Sequence, residues 1–284
     1  MKIRAGYRIT FDCMAPMPIL LKLSVHPDAR HGLITPDGLV TSVPADISRL
    51  EDEFGNLVTR VKAPAGPITF SSDFVIEDSG LPDLQNPSAR QIPVEDLPGH
   101  ALPFLLGSRY CETDQLSNLA WSLFGGTPAG WARVQAIVDY VHDRIAFGYH
   151  HARPTRTAAQ GHEERVGVCR DYAHLAVALC RAMNIPARYC TGYLGDIGVP
   201  VSDAPMDFSA WFEVYLEGGW YTFDARHNAP RIGRVVIARG RDAADVAITH
   251  TFGTAWLTNF TVITDEVDEG RPECLPSTQL MAAE

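Results

Sequence analysis

Residues 167–183 read GVCRDYAHLAVALCRAM, and their reading decides the fold. Wound at 3.6 residues per turn, the run after Gly167-Val168 is apolar on most of its circumference, so a central, buried helix is predicted over 169–183. Asn184-Ile185-Pro186 ends it, because proline disfavours helical geometry in the residue before it. A small hydrophobe would pack at position 169 as well as Cys169 does. A cysteine in the first turn differs in one respect. Its sulfur lies near backbone N–H groups without helical partners and near the positive end of the helix dipole, and both favour a thiolate.

Two apolar stripes precede this segment. One follows Thr113-Asp114 with Leu116, Leu119, Ala120, Leu123 and Phe124; the other follows Thr127-Pro128 with Val134, Ile137, Val138, Val141 and Ile145. Both recur at helical spacing. After the central helix the pattern turns to strands over 187–193, 210–216, 220–224, 234–238 and 251–264, with Glu217-Gly218-Gly219 as a hairpin turn. Helices followed by an antiparallel meander predict an α+β core in which the buried helix packs on the sheet.

Upstream, residues 3–77 form short β-like runs such as Tyr7-Arg8-Ile9-Thr10-Phe11, broken by the turn sequences TPDG, EFGN and APAGP. An N-terminal β-sandwich is expected. Residues 78–103 are dense in Pro, Gly, Asp and Ser and read as a linker. The expected organisation is an all-β domain with its linker over 1–100, an α+β core over 101–265 and a loosely ordered tail over 266–284.

A chain of 284 residues has room for two domains, and a hydrophobic fraction of 46% is enough to fill their cores. The net charge of -10 argues against a general nucleic-acid binder, which concentrates Lys and Arg. No apolar run is long enough for a bilayer, and the N-terminus alternates like a strand, so no membrane partner and a cytoplasmic setting are expected. The six cysteines, at 13, 111, 169, 180, 190 and 274, show no zinc spacing, so neither a metal nor another cofactor is expected. Cys169 and Cys180 on one helix would stand about 16 Å apart, beyond disulfide reach.

Two stretches carry a resemblance. RVGVCRDYAHLAVALCRAMNIPARYCTGYL (165–194) is similar to the nucleophile segment of the bacterial transglutaminase-like superfamily, in which Gly-x-Cys-Arg-Asp opens the core helix and IPAR leads into the next strand. MDFSAWFEVYLEGGWYTFDARHN (206–228) resembles that family's second signature, a strand bearing His-Ala-Trp-x-Glu-Val-Tyr paired with one ending in Phe-Asp. The all-β first part resembles the domain that accompanies these proteins. The resemblance implies a papain-like core, a Cys-His-Asp triad, no cofactor, and a peptide or small amide as substrate. Cys169 falls on the nucleophile and Asp224 on the carboxylate that orients the histidine, while the histidine position falls on Ser209.

That departure sets the functional expectation. Serine does not accept a thiol proton near neutral pH, and without an imidazolium neighbour the Cys169 thiol should titrate closer to a free cysteine. General-base catalysis contributes about 10²–10⁴-fold, so a cysteine hydrolase or protease acting through a thioester at Cys169 is expected to be impaired. The alternative is a catalytically inactive binding or scaffold protein on the same fold. His227, three residues beyond Asp224, is the first candidate for a substitute base. His150, His151 and His162 lie in the preceding loop, and His174 lies about 140° around the helix from Cys169. Trp211, Trp220 and Tyr221 either line a groove or pair across strands, and Arg170 and Asp171 either hold the loop around the thiol or sit in solvent. The Cys169 backbone N–H is a candidate oxyanion donor.

Overall fold

The computed structural model of the chain describes residues 1–202 and 205–267. Six strands open it: β1 (Lys2–Cys13), β2 (Met17–Leu21), β3 (Val40–Thr41), β4 (Asp46–Glu51), β5 (Leu57–Ala63) and β6 (Gly66–Glu77). Alternation writes these strands. Along β1, Ile3, Ala5, Tyr7, Ile9 and Phe11 are buried on one side of the pleat. β1 pairs antiparallel with β6 in unbroken register from Lys2↔Glu77 to Cys13↔Gly66.

Residues 78–103 carry no strand and only two 3₁₀ turns, at Val94–Asp96 and Leu102–Leu105. They are nevertheless tied to the C-terminal half of the chain. The Asp83 carboxylate accepts Arg234 Nε at 3.0 Å and the Arg231 backbone N–H at 2.9 Å, Arg90 forks onto Glu217 at 2.8 and 2.6 Å, and Asn86 donates to the Tyr221 hydroxyl at 2.9 Å.

Beyond them come α1 (Thr113–Phe124), α2 (Trp131–Arg144), β7 (Ala146–Phe147), α3 (Ala158–Glu164), β8 (Val166–Gly167), α4 (Cys169–Ala182), β9 (Ala187–Leu194), β10 (Ser209–Leu216), β11 (Gly219–Phe223), β12 (Arg234–Gly240), β13 (Thr249–Thr251) and β14 (Ala255–Glu266). α1, α2 and α4 fall where the apolar stripes predict them. α3 has no stripe to announce it, because only Ala158 and Gly161 of its seven residues are buried, and a Thr157–Gln160 capping box starts it instead.

The fold is α+β. The core sheet has the order β11-β10-β9-β12, with α4 packed on it. This differs from a plain meander in two respects. β12 crosses to the far edge and pairs with β9, and β13 and β14 leave the core for the N-terminal sheets, which have the orders β14-β1-β6-β3 and β13-β2-β5-β4. β1 and β14 are each 12 residues long and match from Ile3↔Glu266 to Cys13↔Ala255, so β14 closes the open edge of β1 over its whole length. The expected polar tail lies largely outside the described residues.

Every residue of α4 from Asp171 to Ala182 is buried. Leu175 to Cys180 and Ala182 belong to an apolar cluster with α1, α2, Phe212, Val214 and Phe223, whereas Ala173 and Cys169 pack into a second cluster formed by the N-terminal sheets with Tyr189, Tyr193, Ala210 and Val235. The first turn of α4 therefore stands at the seam between two cores. No helix among the described residues is long and apolar enough to cross a membrane.

Candidate active site

Gly167 explains the start of α4. A Cβ there would lie 2.7 Å from both Cβ and Oδ2 of Asp171, so only glycine leaves room for that side chain to fold back over the helix start. Asp171 Oδ2 accepts the Val168 backbone N–H at 2.9 Å and Arg156 Nη1 at 3.0 Å. Arg156 also meets Glu164 at 3.0 Å, and Glu164 takes Arg153 at 2.7 Å. Arg170 donates to the backbone carbonyls of Arg153 and Pro154. The run Gly167-x-Cys169-Arg170-Asp171 thus locks the preceding segment, 153–168 with α3 and β8, onto the helix N-terminus, which is the holding role open to Arg170 and Asp171 in the sequence.

Cys169 is partly exposed and lines a cavity of about 300 Å³ at the seam. Ser209, Asp207 and Thr191 from the core share its wall, facing Ile9 and Phe260 from the N-terminal sheets. The protein packed around the sulfur pushes the thiol up to about 11. Arg226 and the Ala210 backbone N–H, which donates to the sulfur, pull it down, and the charges of Asp207 and Asp224 push it up. The thiol is protonated at neutral pH.

Ser209 opens β10 and is buried; its carbonyl accepts the Thr191 hydroxyl at 3.1 Å. Asp224 follows β11 and lies within electrostatic reach of Cys169, but its oxygens are engaged elsewhere. Oδ1 accepts the backbone N–H groups of Arg226 and His227 at 3.0 and 3.1 Å; Oδ2 accepts Arg234 Nη2 at 2.9 Å and stands 2.8 Å from His227 Nδ1. Arg234 and His227 hold this buried carboxyl well below the usual carboxylate range despite the opposing cost of burial. Asp224 lines a small separate cavity with Asp83 and Asn228. The structure therefore brings Cys169 and Ser209 onto one cavity, whereas Asp224 lines another and is paired with His227.

The other candidate residues fall away from the sulfur. His174 is fully buried, stacked on Tyr110 with ring centroids 5.1 Å apart, and its Nε2 accepts the Ala243 N–H at 3.1 Å. Burial holds it well below its ordinary value, so it stays neutral. His162 bonds the Tyr140 hydroxyl at 2.7 Å, and His150 and His151 pack on each other with centroids 3.9 Å apart. Trp211 is buried under the Arg234 guanidinium, 4.9 Å from the ring centroid, while Trp220 and Tyr221 pack against Phe104 and Trp131. Sequence reasoning passed over Arg226, Asp207 and the Ala210 N–H. Arg226 and Asp207 lie inside the quoted stretch 206–228, each two positions from a motif residue, and a backbone donor leaves no sequence signal at all. Among the described residues no group of three or more His, Cys, Asp or Glu side chains is placed to hold a metal.

The model of the transglutaminase-like superfamily matches residues 118–225, from within α1 to just past Asp224. A crystal structure from Cytophaga hutchinsonii, of a protein provisionally designated a cysteine protease, is 32% identical with a TM-score of 0.81, covering 98% of this chain and 94% of that one. The chain belongs to the transglutaminase-like superfamily. An uncharacterized protein of Mycobacterium leprae is 27% identical over 239 residues, covering 73% of this chain and 77% of its own, and one of Mycobacterium tuberculosis H37Rv is 26% identical over 226 residues, covering 73% and 72%. Within this superfamily fold the N-terminal sheets supply one wall of the Cys169 cavity.

Proposed function

We propose that the chain is a cysteine amide hydrolase of the protease type, acting through a thioester at Cys169 and slowed by the serine at 209. One observation carries this reading: the Cys169 sulfur stands in the first turn of a buried helix, open to a cavity that Ser209 also lines. In the reaction the sulfur bonds to the amide carbon, the C–N bond breaks and the thiol proton passes to the leaving amine. Water then opens the thioester, releasing the acid and restoring the thiol. The Cys169 backbone N–H is the candidate donor to the oxyanion. The substrate is a peptide or small amide, and a cytoplasmic setting that keeps thiols reduced suits the reading.

A second reading, a binding protein that has lost the base, is favoured by the engagement of Asp224 with His227 and Arg234. Amide hydrolysis by the wild type, Ser209→His and Ser209→His/Cys169→Ala separates the two. The hydrolase reading expects Ser209→His to raise the rate by about 10²–10⁴-fold and the added Cys169→Ala to abolish the gain. No gain from the histidine favours the binding protein.

A further inference from the structure

The Cys169 cavity continues past Tyr189, Thr191 and Ile248 into a second cavity of about 460 Å³, the two sharing Pro154 and Arg170 as well. Together they form one cleft, and its second part has a distinct chemistry. Its ionisable lining residues, apart from two tyrosines, are Arg109, Arg170 and His250, with no Asp or Glu among the described residues that line it. In a protein with a net charge of -10, such a wall is not what average composition supplies.

The positive charge is also only partly compensated. Arg109 and Arg170 flank Tyr110, their guanidinium carbons 5.1 and 5.6 Å from its ring centroid. The nearby Asp242 is buried and its charge reaches Arg109, but its oxygens accept the Tyr110 N–H at 2.8 Å and the Ala244 N–H at 2.9 Å. Arg170 is 3.7 Å from Asp171, but Asp171 also binds Arg156, and Glu164 serves both Arg153 and Arg156. That network holds three guanidinia against two carboxylates. The loop carbonyls of Arg153 and Pro154 fix the Arg170 head at the cleft, and Arg109 is exposed at its other side.

We infer that this arm of the cleft binds a carboxylate on the substrate, so that the amide presented to Cys169 belongs to a peptide or amino-acid derivative carrying a free carboxylate. The inference rests on the thiol site proposed above but not on turnover. Guanidinia over an aromatic platform suit a planar carboxylate, which they can meet with two parallel N–H groups. The carboxylate has two sources, a chain terminus or an acidic side chain.

Protection of Cys169 from iodoacetamide, read by mass spectrometry on the full chain at pH 8.5, reports occupancy without any need for catalysis. Three probes carry the glutamine side-chain amide as their one primary amide: acetylglutaminylglycine with a free C-terminus, its C-terminal N-methylamide, and acetylglutaminylglutamic acid with a C-terminal N-methylamide. At least one carboxylate-bearing probe should protect at about fivefold lower concentration than the neutral one, near the upper range for a partly solvated ion pair. The advantage should vanish in Arg109→Gln, survive only in part in Arg109→Lys, which keeps the charge but not the two parallel N–H groups, and shrink in 0.5 M salt. The stronger of the two anionic probes identifies the source. Equal protection by all three, protection by none, or an advantage that survives Arg109→Gln overturns the inference. Absent turnover with the advantage intact counts only against the hydrolase reading.

Discussion

A thiol attacks only after it gives up its proton, and the surroundings of Cys169 do not take it. Burial and the charges of Asp207 and Asp224 oppose the thiolate, and one N–H from Ala210 with the Arg226 charge offsets only part of that. The Asp224 carboxylate, which the resemblance would pair with an imidazole at 209, is instead closed by Arg234, His227 and two backbone N–H groups. Removing it should matter to the fold before it matters to chemistry. Asp224→Ala is expected to cost about 3 kcal/mol in denaturant unfolding, because it takes one of two carboxylates from Arg234, whose side chain is only 7% exposed. A loss under about 1 kcal/mol would show that Asp83 alone satisfies Arg234.

At the scale of elements, the glycine and the aspartate that bracket Cys169 act as one device. Asp171→Ala frees the Val168 N–H and takes a buried carboxylate from Arg156, both held at 3.0 Å or less, and should destabilise the protein by about 3 kcal/mol. Gly167→Ala should loosen the same start by forcing the Asp171 side chain away. Thermal unfolding of the two variants checks this, with an unchanged midpoint for either counting against it. α1, α2 and α4 were legible because their apolar residues repeat at helical spacing, and β9 to β12 because of their apolar runs and turn residues. α3 was not, since a seven-residue helix with two buried residues has no stripe. The destinations of β12, β13 and β14 were not either: a strand's sequence states which face is buried, but its partner is chosen across the whole chain, as β14 by the open edge of β1. Of the candidate site, the motifs single out Cys169, Ser209 and Asp224 only as candidates, and the engagement of Asp224 by Arg234 was not legible, because it joins residues ten positions apart across a turn.

For the molecule as a whole, two cores meet on one sheet and buried polar groups stitch them. Arg181, 2% exposed, donates to the carbonyls of Ala187, Leu106 and Arg241 and so binds α4 to three separate segments. Buried titratable groups then set the pH range of the fold. His174 is held neutral, so an unfolded chain gains a proton below about 6.5 that the folded one refuses, and stability falls as pH drops through that value. Cys111 is pushed up to about 12, and Cys180 and Cys190 higher still, so unfolding is favoured as pH rises through the ordinary thiol value of 9.0. Each group contributes up to about 1.4 kcal/mol per pH unit in its window. Denaturant unfolding should therefore show a maximum between about pH 7 and 8.5, and a profile flat from pH 5 to 10 would contradict the assignment.

The central claim, a nucleophile poised at a cleft without its base, is tested most directly by the rate of iodoacetamide labelling of Cys169 across pH in the wild type and in Ser209→His. The account predicts a wild-type rate that keeps climbing toward pH 11 and a Ser209→His rate that levels off at a lower pH, as an imidazolium at 209 stabilises the thiolate. A wild-type profile already level near neutral pH would contradict it.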